Sequence, residues 1–276
     1  MTPFFKVSGG GNDFLALAEP AATPSAGEIR AWCQRGISVG ADGLFVLRRR
    51  AGTAVMDYWN SDGLPADLCL NGTRCAAQLA FHLGWVDGTM ETVDVETAAG
   101  RFAARRLDET RVTLELPVPE APRELTVEVG GKSVPGWFVR VGVPHFVLLW
   151  PEVLDHAPVA ELSPQIRRHP VFGPAGTNVN FARFPAVHRM EIRSFERGVE
   201  GETLACGTGV LAGTRVGIAL GAVALPVQAL TRGGFELTVE EAPGTDRWSF
   251  SGDARVVARV DLLPGAGLTP TAPPWD

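Results

Sequence analysis

The chain has 276 residues, 45% hydrophobic and 20% charged, with a formal net charge of −6. That is globular composition, long enough for one large domain or two smaller ones. An acidic balance without a basic run argues against nucleic acid as a partner. No uncharged stretch reaches the roughly 18–20 residues of a membrane span.

The N-terminal residues, MTPFFKVSGGGNDF, show no charged segment leading into an apolar one. No signal peptide is read, and the cytoplasm is the expected location. Only Lys6 and Lys132 are lysines. Neither sits in a glycine-rich phosphate-binding context, which argues against pyridoxal phosphate. The cysteines are Cys33, Cys69, Cys75 and Cys206, with no C-x-x-C pair and no His at ligand spacing. No metal and no cofactor are expected.

In chain order, the first half reads FFKVSGGGNDFLAL, GADGLFVL and MDYWNSDGLPADLCLNGTRCAAQLAFHLG. The second half reads WFVRVGVPHFVLLW, GTNVNFARF and MEIRSFERGVEGETLACGTGVLAGTRVGIALG. Both run apolar strand, glycine turn, second strand, third strand, acidic loop and a Cys-led helix. The spacing between counterparts is steady: Phe14 and Phe146 lie 132 residues apart, Met56 and Met190 134, Cys69 and Cys206 137. This points to duplication and two similar domains. Helical spacing predicts helices over 71–83 and 207–220, stopped by Gly84 and Gly221. Period-two alternation predicts strands over 111–116, 125–129, 235–239 and 255–260. The proline-rich stretch 115–123 is read as the boundary. The halves are then 1–117 and 118–262, with 263–276 expected to complete the first.

Each long helix begins at or just beyond a cysteine. A helix N-terminus carries unpaired N–H groups and partial positive charge, which lowers a thiol's pKa and seats an anion. Two such ends meeting in one cleft would place a sulfur on each face of a bound α-carbon. One thiolate could remove the α-proton while the opposite thiol returns a proton, inverting the centre without a cofactor.

The motifs GGGNDF, GADGL, Asn60–Gly63, CLNGTRC, GVPH, NVNF, ERG and ETLACGTG resemble, in order, those of the diaminopimelate epimerase family. The resemblance implies an α/β fold of two pseudo-symmetric domains. Each would be a curved, mostly antiparallel sheet around a central helix, with the active site in the cleft between them. It implies interconversion of LL- and meso-diaminopimelate in lysine and peptidoglycan biosynthesis. Carried over by position, the catalytic group is Cys69, Cys206, His145 and Glu196. The substrate-binding group is Asn12, Asn60, Leu70 (through its backbone), Asn71, Asn178, Glu196, Arg197, Gly207 and Thr208. Arg197 suits a distal carboxylate. The implied partner is a small amino acid, with a homodimer possible and neither nucleic acid nor membrane. Leu70, Val143 and Leu64-Pro65 depart from the family's polar or small residues and are expected near the pocket. Two other readings stand beside this one: a racemase of another amino acid, and a catalytically silent binding relative.

Overall fold

The computed structural model describes residues 4–66, 68–86 and 91–267. The chain forms two compact units. One runs to Val112 and resumes at Ala254; the other is Thr113–Asp253.

In the first unit the elements are β1 (Phe4–Gly9), β2 (Asn12–Ala18), α1 (Ala26–Cys33), β3 (Gly43–Arg50), β4 (Thr53–Asn60), α2 (Leu70–His82), β5 (Thr92–Thr97) and β6 (Gly100–Arg106). Strand β7 (Arg111–Pro117) contains the boundary. The second unit has β8 (Arg123–Val129), β9 (Lys132–Val141), β10 (Val143–Leu149), α3 (Val159–Arg167), β11 (Asn178–Ala186) and β12 (Arg189–Glu196). It continues with β13 (Gly201–Thr203), α4 (Gly207–Ala219), β14 (Val227–Thr231), β15 (Glu236–Glu241) and β16 (Arg247–Asp253). Strand β17 (Arg255–Val260) returns to the first unit.

The duplication is visible strand by strand. In the first unit β1–β2 is antiparallel, β2–β3 parallel, β3–β4 antiparallel, β4–β5 parallel and β5–β6 antiparallel. In the second, β9–β10, β10–β11, β11–β12, β12–β14 and β14–β15 repeat that series in the same order. Strand β17 pairs antiparallel with β1, as β8 does with β9. The sheet therefore wraps one helix in each unit. Helix α2 packs on β1, β2, β4, β5, β6 and β17, and α4 on β9, β10, β11, β12 and β15. Residues Leu70–Ala80 are all buried as a result. The inner strands are covered on both faces. Leu15 and Leu17 of β2 and Leu44 and Val46 of β3 pack with Ile29 and Cys33 of α1. This is why FLALA and LFVL read as continuous apolar runs rather than alternating ones.

Both predicted helices begin one residue or less from their expected starts. Each ends in the same device. Leu83 and Leu220 cap them, and Gly84 and Gly221 follow at φ +66°. The next N–H groups, of Trp85 and Ala222, donate back to Ala80 and Gly217. Left-handed backbone at that point favours glycine.

The expected divide is corrected at both ends. The chain leaves the first unit at Val112, inside a strand, and the prolines that follow belong to the second unit. There Arg215 Nε of α4 donates to the Pro119 carbonyl at 3.0 Å. Residues 254–262, expected in the second half, belong to the first because β17 is a partner strand of β1. Of the segment expected to complete the first half, 268–276 lies outside the described residues.

Candidate active site

Cys69 is the N-cap of α2, with extended backbone at φ −138° and ψ 101°. Its Sγ accepts the Gly72 N–H at 3.4 Å, and its carbonyl accepts from Thr73 N at 2.8 Å and Thr73 Oγ1 at 2.9 Å. Sulfur thus takes the place of a capping oxygen at a helix end that carries positive partial charge. A cavity of about 130 Å³ opens beside it, lined by Met56, Tyr58, Trp59, Pro65, Cys69 and Thr73 among others.

Asn60 ends β4 half-buried, and its Oδ1 accepts from the Tyr58 hydroxyl at 3.1 Å. Tyr58 occupies the space above Gly43, where a Cβ would lie 2.7 Å from its ring. Asn12 and Asn71 are hydrogen-bonded to each other, Asn71 Nδ2 donating to Asn12 Oδ1 at 2.8 Å. The side chain of Leu70 is 3% exposed and belongs to the core, leaving its backbone as the part available at the helix end. Leu64 does not line the cavity: it is 60% exposed in a turn in which the Asp62 carboxylate accepts its N–H at 2.8 Å. The apolar contribution of that loop comes from Pro65 and Ala66 instead.

In the second unit Cys206 is the N-cap of α4, at φ −111° and ψ 106°, and is buried. Gly207 and Thr208 follow as the first helical residues, and the Thr208 hydroxyl lies 3.5 Å from Sγ. The lowering expected from a helix end is present at Cys206, through the Gly209 N–H, but is outweighed. Burial, and then the neighbouring Glu196 carboxylate, push the Cys206 thiol well above its ordinary value. Helix charge is a partial charge, and desolvation of a full anion outweighs it. Glu196 is itself raised by burial, although Thr203 Oγ1 donates to it at 2.5 Å and the Cys206 thiol is hydrogen-bonded to it. This cysteine rests as a thiol.

His145 is fully buried on β10. Asn180 Nδ2 lies 3.0 Å from its Nδ1, and Asn180 Oδ1 accepts from Ser194 Oγ at 2.9 Å. With Nδ1 accepting, the proton sits on Nε2, which has no partner among the described residues. Burial first, and then the Arg197 charge, lower its pKa to about 3, so the ring is neutral. The Asn180–Ser194 pair lies under the start of α4. A Cβ on Gly209 would overlap Asn180 Oδ1 and come within 3.0 Å of Ser194 Oγ. Asn178 is buried and its Oδ1 accepts the Arg197 N–H at 2.8 Å, so it positions Arg197 through the backbone. The Arg197 guanidinium has no carboxylate within ion-pair distance among the described residues, unlike Arg193, which is held by Glu202 at 2.6 Å.

The first unit thus gathers Asn12, Asn60, Asn71 and the Leu70 backbone around the Cys69 helix end. The second gathers His145, Asn178, Glu196, Arg197, Gly207 and Thr208 around the Cys206 helix end. Sequence reasoning missed Tyr58, Asp42 and Arg74. The last two stand inside the motifs GADGL and CLNGTRC, which was the available signal. Among the described residues no group of three or more His, Cys, Asp or Glu could hold a metal ion. No helix among them is long and apolar enough to cross a membrane.

Among solved structures, a putative phenazine biosynthesis PhzC/PhzF protein from Clostridium difficile (strain 630) matches with a TM-score of 0.72 at 14% identity. That match covers 95% of this chain and 100% of the other. A hydroxyproline epimerase from Agrobacterium vitis, with bound trans-4-hydroxy-L-proline, matches with a TM-score of 0.68 at 17% identity, covering 96% and 93%. At such identities the likeness is one of fold. Sequence relatives are nearer. The diaminopimelate epimerase of Aquifex aeolicus (strain VF5) is 37% identical over 252 residues, 86% of this chain and 89% of that protein. That of Chlorobaculum tepidum is 34% identical over 260 residues, 92% and 98%. Fold and site together define an isomerase of the epimerase class. The family described as Diaminopimelate epimerase matches residues 4–116 and 137–256. The chain belongs to the diaminopimelate epimerase family.

Proposed function

We propose that the protein interconverts LL- and meso-diaminopimelate by two-base proton transfer between Cys69 and Cys206, without a cofactor. The observation that carries this is the N-cap cysteine at the equivalent helix of each repeated unit. In this reading the reacting carboxylate takes the helix-end N–H groups of α2 and α4, including those of Asn71, Gly207 and Thr208. Those groups stabilise the charge that spreads onto the carboxylate as the α-proton leaves. One sulfur removes the proton and the other supplies one to the opposite face. Cys206, resting as a thiol, is the donor when Cys69 removes the proton; the roles are exchanged in the reverse reaction.

Neutral His145 offers Nε2–H as a donor beside that chemistry, and Glu196 accepts from the substrate ammonium or from the Cys206 thiol. Asn12 and Asn60 serve the rest of the substrate. Arg197, without a carboxylate partner among the described residues, takes the distal carboxylate in a bidentate pair. That unmatched guanidinium favours a substrate with two carboxylates over a simple amino acid.

The test is α-proton exchange in D2O with diaminopimelate against a panel of single amino acids. Exchange with diaminopimelate is expected. Exchange confined to the panel would assign a different racemase, and exchange with none would leave a silent binding relative.

A further inference from the structure

Arg74 is the largest fully buried side chain among the described residues, at 0% exposure. Burying a full charge costs several kcal/mol unless it is well hydrogen-bonded, so such a residue calls for a reason. Its Nη2 donates to Asn71 Oδ1 at 2.6 Å. Asn71 Nδ2 donates to Asn12 Oδ1 at 2.8 Å, and Asn12 Nδ2 donates to Asp42 Oδ2 at 3.0 Å. The relay continues at Asp42, whose other oxygen takes Arg35 at 2.8 Å and whose Oδ2 also accepts the Asp13 N–H at 3.2 Å. Asp13 in turn pairs with Arg35 and Lys6.

The two ends of this chain of bonds differ in kind. A guanidinium can only donate and a carboxylate can only accept. Between them each amide has one orientation. Flipping Asn71 would set its NH2 against the guanidinium, and flipping Asn12 would set its oxygen against the Asp42 carboxylate. The backbone is shaped to allow this. A Cβ on Gly10, which sits at φ +59°, would come within 2.7 Å of Asn71 Oδ1. Three motifs far apart in the chain, GGGNDF, GADGL and CLNGTRC, therefore meet in one directional relay. The counterpart of Arg74 in the second unit, five residues after Cys206, is Leu211, also buried. The matching position of α4 therefore carries no cation.

We propose that Arg74 is a positioning residue for substrate binding, holding Asn71 and, through it, Asn12 in a single amide orientation at the start of α2. This rests on the reading of Asn12 and Asn71 as substrate-binding residues. With the relay intact, the second N–H of Asn12 and the remaining lone pair of its oxygen keep fixed directions at the half-buried edge of the site. Substrate then meets preformed partners rather than amides that must be ordered on binding.

Two variants test this from opposite ends. Arg74→Lys keeps the charge and loses the planar fork. Asp42→Asn replaces the acceptor-only terminus with a group that can donate or accept, at a position far more exposed than Arg74. Each is expected to raise KM for the epimerised amino acid about tenfold, with kcat within twofold of wild type. In 15N-labelled protein, wild-type Asn12 and Asn71 side-chain NH2 groups should exchange slowly, and both variants should lose that protection. Unchanged KM and unchanged amide protection in both variants would overturn the proposal. So would a fall in kcat at constant KM, or wild-type amides that exchange freely. If wild type epimerises no amino acid, the functional reading fails, while the amide spectra still decide whether Arg74 sets the orientation.

Discussion

The two cysteine-led helix ends share a backbone and differ in charge. At the α2 end a cation, Arg74, is buried five residues after Cys69 and feeds a relay of amides. At the α4 end the matching position is Leu211, and an anion, Glu196, sits beside Cys206 instead. Duplication has kept the strand pairings and the caps of the central helices while the groups around each sulfur have diverged. That divergence suits the chemistry. In the proposed two-base reaction one sulfur starts as a thiol, and burial together with Glu196 favours that state at Cys206. Groups whose surroundings push their protonation apart are how one fold assigns acid and base.

The sharpest way to break the comparison is to remove either sulfur. Cys69→Ala and Cys206→Ala should each lower epimerisation by about 10²–10⁴-fold or more, since each removes a group that handles a proton in the transition state. Normal epimerisation in both variants would end the two-thiol mechanism. Cys33→Ala serves as control. That thiol is buried in the core at the end of α1, pushed up to about 11 by burial, and its loss should leave epimerisation unchanged.

The next largest effect concerns the anion that distinguishes the α4 end. Glu196→Gln removes the carboxylate that helps hold Cys206 as a thiol. The Cys206 pKa should fall toward its ordinary value. The limb of the kcat/KM profile that reports loss of its proton should then move to lower pH. A limb that stays in place would show that burial alone sets the state of this thiol. Activity should drop by roughly tenfold to a hundredfold, because Glu196 also contacts substrate in the proposed reading.

His145 gives a prediction about stability. Its pKa is about 3 in the fold against an ordinary 6.5, so between those values the unfolded chain binds a proton that the folded chain does not. Stability rises with pH across that window, and the contribution is lost as pH falls from about 6.5 toward 3. The slope from this one group is at most about 1.4 kcal/mol per pH unit. Urea unfolding of wild type and His145→Asn at pH 5 and pH 7.5 should show a smaller pH difference in the variant. Equal differences would place the acid sensitivity elsewhere.

The smallest effects come from glycines. Gly209→Ala puts a Cβ onto Asn180 and Ser194 below α4, where packed polar groups have little room to give. A loss of about 1–3 kcal/mol is expected. Gly221→Ala meets no atom within 4 Å and suffers only from its left-handed backbone, about 1 kcal/mol. Thermal unfolding should rank the two in that order.

Much of the architecture was legible because it depends on local patterns. Apolar periodicity and a following glycine marked both central helices almost to the residue. Alternation marked β7, β8, β15 and β17 to within about two residues. Helix α1 went unread although Ser25 and Glu28 form a capping box, visible as S-x-x-E before an apolar run. The boundary was misplaced because prolines announce irregular backbone, not the edge of a packed unit. Here the chain crosses within a strand.

The amino-acid sequence by itself determined the duplication, the two cysteines at helix starts and the family. Each of these is a matter of residue order and spacing. Tertiary structure alone decided the electrical character of each site. Whether a thiol stays protonated depends on which carboxylate lies beside it and how much water remains. Whether an amide points one way depends on what caps the ends of its hydrogen-bond chain. Glu196 stands ten residues before Cys206, and Asp42 and Arg74 are thirty-two apart, so neither influence could be read until the fold brought them together. The cysteine pair was evident in the sequence; that its two members rest in unlike surroundings was not.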